Sequence, residues 1–140
     1  MKAKIHLNLS FTFVFIIVST FSSCKSSFPA AGTTIECNGQ FVRPILNPTK
    51  RAYFPGGPQA MSKFLKDNIN FSQETKVKGK VRVAFIVTKD GNICDVRITS
   101  KPKKYIDNEV TRVIKMMPKW IPGYNAGEII DSYYLLDMKF

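Results

Sequence analysis

Histidine is all but missing from this chain; the only one, His6, lies in an N-terminal stretch expected to be removed. Without an imidazole, the mature protein cannot run histidine-based acid–base chemistry or bind zinc through histidine. Acidic residues are also scarce: 10 Asp and Glu face 21 Lys and Arg, for a formal net charge of +11. What remains offers no carboxylate cluster and no Ser–His or Cys–His pairing. The protein is therefore not expected to be an enzyme, and no catalytic residue, metal or other cofactor is expected. The basic residues are scattered and no base-stacking motif accompanies them, so nucleic acid is not an expected partner. The excess charge suits anionic surfaces such as lipid headgroups or cell-wall polymers. No apolar run reaches the ~20 residues that a spanning helix needs. With 140 residues the chain has room for one modest domain.

The N-terminus reads as an export signal. Lys2 and Lys4 precede an apolar run from Phe11 to Val18, and Thr20 to Ser23 are small or polar apart from Phe21. The Phe21-Ser22-Ser23-Cys24 ending resembles a bacterial lipobox. Residues 1–23 are thus expected to be a lipoprotein signal peptide, with Cys24 acylated and inserted in a lipid bilayer as membrane anchor. Residues 24–52 read as a tether. Lys25 to Thr33 has linker composition, and Asn38-Gly39 is a two-residue hairpin signal that would pair Ile35 with Val42. Pro44 to Arg51 reads as extended loop. Cys37 and Cys94 are the two other cysteines. An oxidising compartment permits a disulfide between them, while an apolar strand face suits Cys94 as a small buried thiol.

The stretch from Lys80 to Thr99 is where the domain is organised. Val81, Val83, Phe85 and Val87 alternate onto one face of a strand; Cys94, Val96 and Ile98 alternate likewise on the next run. Asp90-Gly91 between them has hairpin-turn chemistry. A loop centred on that pair sets Val87 opposite Cys94, Phe85 opposite Val96 and Val83 opposite Ile98, with every apolar residue on one side. Two helices supply cover for that side. Met61, Phe64, Leu65 and Ile69 mark the first, over Gln59 to Asn68. Ile106, Val110, Val113, Ile114 and Met117 mark the second, which Pro118 ends. Trp120, in a proline-bounded loop, reads as a core plug. The last run alternates again, with Tyr134, Leu136, Met138 and Phe140 on one face and Tyr133, Leu135, Asp137 and Lys139 on the other.

Several motifs recur together in one order. They are Phe54-Pro55-Gly56-Gly57, Phe64-Leu65, the G-x-V-x-V-x-F-x-V-x-x-D-G run from Gly79 to Gly91, Met117-Pro118-Lys119-Trp120 with Pro122-Gly123, and a terminal strand closing on Phe140. In that order and spacing, residues 53–140 resemble the TonB C-terminal domain in its Bacteroidetes-type form. The resemblance implies an α+β, two-layer domain: helix, hairpin, helix, strand, with two helices on one face of a three-stranded antiparallel sheet. A right-handed crossover that skips one position gives the strand order second, first, third. Family members of the energy-transducing kind carry an uncleaved membrane helix and a long proline-rich spacer. Here a lipobox and a short tether stand in their place, so the resemblance carries the binding fold and not force transduction.

The family binds extended N-terminal segments of outer-membrane transporters along a sheet edge. The expected partner is such a segment, or one from another envelope protein, near TonB-dependent transmembrane transport. Ser132, Tyr133, Leu135, Asp137 and Lys139 would form the partner-binding edge strand. Tyr133 and Leu135 would select the partner, and Asp137 and Lys139 would blunt self-association. The competing reading of this edge is that it is covered, either by the Thr34–Arg43 ribbon or by a second copy of the chain as a homodimer. The alternative is a basic accessory lipoprotein resting on the cell wall or membrane surface. Either way the protein is expected in the bacterial cell envelope, lipid-anchored, with its domain facing the periplasm. Intact-mass measurement tests the anchor: wild type is expected to carry acyl mass on Cys24, and Cys24→Ala to remain an unprocessed precursor. Normal maturation of the variant would contradict the assignment.

Overall fold

Strand β3, Lys80–Val87, is apolar along most of its length because both of its faces are covered. The computed structural model describes residues 32–71, 79–100 and 102–140; the expected signal peptide and Cys24 lie outside the described residues. A short ribbon comes first, β1 (Ile35–Cys37) and β2 (Gln40–Val42), followed by helix α1 (Gly57–Asn68). After β3 come β4 (Ile93–Ile98) and helix α2 (Lys104–Lys115). A second ribbon, β5 (Gly123–Asn125) and β6 (Glu128–Ile130), leads into the terminal strand β7 (Ser132–Lys139). The main sheet is antiparallel in the order β4-β3-β7.

One face of the sheet meets both helices. Val81, Val83, Phe85 and Val87 pack there with Ile106, Val110 and Ile114 of α2, and with the partly buried Met61, Phe64 and Leu65 of α1. Trp120 is buried in the same cluster. Its ring lies 5.3 Å from Phe85 and 4.6 Å from Tyr134, both edge-on, a geometry that adds about 0.5–1.5 kcal/mol per pair beyond area burial.

The β3–β4 turn departs from a loop centred on Asp90-Gly91. Gly91 N–H donates to the Thr88 carbonyl at 2.8 Å and Thr88 N–H to the Asn92 carbonyl at 2.9 Å, so the loop is Lys89-Asp90-Gly91, three residues long. Gly91 is left-handed (φ 80°), and a Cβ there would collide with the carbonyl oxygen of Trp120. The turn is one residue out of step with the expected register, and a bulge puts it back. Near the turn Val87 faces Ile93 and Ile86 faces Cys94; beyond it Ala84 faces Arg97 and Val83 faces Ile98. Asp95 is the extra residue, with φ 50°. The expected Val87–Cys94 pairing is therefore corrected. Ile93 takes the helix-facing place, and Cys94 turns to the opposite face beside Ile86.

On that opposite face the first ribbon docks. Its register sets Ile35 against Val42 around Asn38 and Gly39, both at positive φ. Cys37 and Cys94 are disulfide-bonded, with Cα atoms 5.6 Å apart, and cluster with Val42 and Ile86. Closing a separation of 57 residues restrains the unfolded chain, which contributes about 2–4 kcal/mol.

Phe85 is completely buried, whereas Arg82 is exposed on the other face. Phe85→Ala is expected to cost about 3–5 kcal/mol in a denaturant melt, and Arg82→Ala to shift the midpoint little. The reverse ranking would show that the faces are assigned backwards.

Candidate partner-binding edge

The order β4-β3-β7 leaves two outer edges, and they are built differently. The β4 edge carries the Asp95 bulge, with Arg97 Nε bonded to Asp95 Oδ1 at 2.8 Å. A bulge twists an edge away from flat pairing and so protects it. Strand β7 instead runs in unbroken register with β3 from Ser132 opposite Val87 to Lys139 opposite Lys80.

Along β7 the backbone groups alternate between inward and outward. Phe140 exchanges bonds of 3.0 and 3.3 Å with Gly79, on the β3 side. Tyr133 N–H donates to the Ile45 carbonyl at 3.0 Å, on the other side. Residues with Tyr133's parity therefore aim N–H and C=O away from the sheet: Leu135, Asp137 and Lys139. Among the described residues no backbone group bonds to these three on the outer side.

The edge residues expected from sequence are thus not equivalent. Ser132 is fully buried and faces Val87, and its Oγ packs where a Cβ on Gly123 would sit. The start of the edge is occupied by Ile45, which bridges Ser132 in parallel and also bonds Asp131. Asp131 Oδ1 in turn accepts from Lys89 N–H at 2.8 Å, tying the start of β7 to the β3–β4 loop. Tyr133 turns its side chain to the ribbon cluster, and burial, then the nearby Asp95 charge, pushes its hydroxyl pKa up. Leu135 is exposed. Asp137 accepts two bonds from Arg82, at 2.6 and 3.0 Å, which hold its carboxyl below the usual range. Lys139 is exposed. The open stretch is therefore Leu135 to Lys139.

Two features of this site escaped the sequence reading. One is the Ile45 bridge. The other is the β5–β6 ribbon, whose turn places Ala126 and Gly127 at φ 49° and 94°. Gly127 was the available signal; Ala126 is not a residue that advertises a left-handed turn.

Above the far end of the edge, α1 is held by α2. Arg112 donates to Glu109 at 2.6 and 2.8 Å and to the Asn68 carbonyl at 2.8 Å, while Glu109 accepts from Asn70 N–H at 2.8 Å. The clasp joins the end of α1 to α2. No group of three or more His, Cys, Asp or Glu could hold a metal among the described residues. Nor is any described helix long and apolar enough to cross a membrane.

An open edge without a bulge on a helix-backed sheet is a geometry that can accept an added strand. Residues 72–140 match the model of the Gram-negative bacterial TonB protein C-terminal, and that region belongs to the TonB C-terminal family. The match begins after α1, so the Phe54–Gly57 turn and α1 precede it. The chain matches no curated protein. The match points to TonB-type interactions at the Gram-negative cell envelope.

The clasp gives a pH signature. Hydrogen bonding from Arg112 holds the Glu109 carboxyl at about 2, below its ordinary 4.5. A carboxylate with a depressed folded-state pKa stabilises fully above its unfolded value and loses that contribution as pH falls through the folded one. Wild type is expected to lose more thermal stability than Glu109→Gln between pH 4.5 and pH 2. Parallel acid slopes would show that ionised Glu109 adds no stability.

Proposed function

We propose that this protein captures an extended segment of another envelope protein by adding it as a fourth strand against β7. The intended partner is a segment of an outer-membrane transporter, in or near TonB-dependent transport. The observation that carries this reading is the outward backbone of Leu135, Asp137 and Lys139, unpaired among the described residues on a strand without a bulge. Backbone bonds supply affinity that does not depend on sequence, and alternate side chains supply selection. Tyr133 contributes less to selection than Leu135, because its side chain already packs on the ribbon. The protein is lipid-anchored through Cys24, in this reading, and holds its domain in the periplasm.

The basic surface favours a second reading, an accessory lipoprotein lying on anionic polymer. The two separate on one substitution. Leu135→Pro removes an outward donor, and it loses little packing because Leu135 is exposed. The variant is expected to melt within a few degrees of wild type, yet to lose at least tenfold in capture of envelope partners. Capture equal to wild type would discard the edge and leave the accessory reading.

A further inference from the structure

Helix α1 is under-covered compared with α2. The second helix buries Ile106, Val110, Val113 and Ile114, whereas α1 buries no residue fully. The apolar stripe of α1 is only half-buried. Between Met61, Leu65 and Ile69 and the helix-facing side chains of Met138 and Phe140 runs a groove of about 360 Å³. Asp137 and Lys139, in the stretch of β7 that is open for pairing, also line it. Groove and edge are therefore continuous.

A strand laid against β7 would alternate its side chains between the two faces of the sheet. Those on the helix side would fall next in line after Met138 and enter the groove, covering the apolar stripe of α1. Those on the other side would lie beside Leu135 and Lys139, in water. Lys66 also lines the groove, exposed, and takes part in none of the ion pairs among the described residues.

We infer that the groove between α1 and β7 is a side-chain subsite for the captured strand. Its occupant is an extended segment with aliphatic residues at alternate positions toward the helices, and a carboxylate flanking them within reach of Lys66. This rests on the strand-addition reading and adds to it a wall, α1, that precedes the family-matched residues. The subsite makes an otherwise sequence-blind edge selective. Backbone pairing accepts any extended chain, while the groove rewards one pattern of side chains. Met61, Leu65 and Ile69 then determine specificity without taking part in the pairing itself.

Two probes separate the parts. One is a seven-residue peptide of alternating isoleucine and threonine with a glutamate at its N-terminus. The other is the same peptide with serine for every isoleucine. Each is titrated into the isotope-labelled mature protein and followed by amide chemical shifts. The isoleucine peptide is expected to bind at least tenfold more tightly and to move amides in both Leu135–Lys139 and Met61–Ile69. Leu65→Ser should shrink that ratio at least threefold, and Leu65→Met should keep it. Because Leu65 also packs on the core, the wild-type ratio decides if Leu65→Ser does not fold. Equal affinities with shifts confined to β7 would overturn the subsite and leave the edge standing. Shifts in α1 without β7 would overturn the edge reading and this inference with it. Absence of binding by either peptide at millimolar concentration would overturn both.

Discussion

Two-sided burial of β3 is the constraint from which the rest follows. Val83, Phe85, Ile86 and Val87 are all completely buried, the odd-numbered three toward the helices and Ile86 toward the ribbon. A strand covered on both faces and paired on both sides cannot itself bind anything. It fixes its neighbours instead. Strands β4 and β7 become edges, and the chain treats them unequally: a bulge and a disulfide on one, eight residues in unbroken register on the other. The exposed pairing capacity of the domain is concentrated on β7.

The surrounding elements then trim that capacity. Ile45 occupies the start of the edge through its bonds to Asp131 and Tyr133, and Ser132 is walled in by Gly123. The ribbon just before Ile45 is held to the sheet by Cys37–Cys94. At the other end α1 overhangs, clasped to α2 through Glu109 and Arg112. A short open segment between a fixed stop and an apolar overhang is suited to one register of added strand. On the proposed reading, this is how a sheet edge, which by itself attracts any extended chain, gains a preference.

Much of this was legible because side chains advertise it. The alternation in Lys80–Val87 and Ser132–Lys139 marks the buried faces, and Ile106, Val110, Val113 and Ile114 mark the inner side of α2. Asn38-Gly39 marks the first turn. The β3–β4 turn differs from the expected one because a three-residue loop and a one-residue bulge offset each other. Val83 and Ile98 still pair, and only the residues between the two irregularities change sides. Cys94 is one of them, so its partner lay on the face opposite to the one its pattern indicated. The Ile45 bridge left no pattern at all, since it is made by backbone groups that every residue carries. Half-covered Met61, Leu65 and Ile69 read as ordinary core positions. Their exposure follows from where β7 ends sideways, which no local period records.

On the proposed reading, β7 presents the outward donors of Leu135, Asp137 and Lys139 to a partner strand. Residue-resolved amide hydrogen exchange measures this most directly. In the free monomer, Leu135, Asp137 and Lys139 should exchange quickly while Tyr134, Leu136 and Met138, bonded to β3, exchange slowly. Captured peptide should slow the first three and leave the others unchanged. Protection of Leu135, Asp137 and Lys139 in the free monomer, or bound peptide that leaves them fast, would contradict the account.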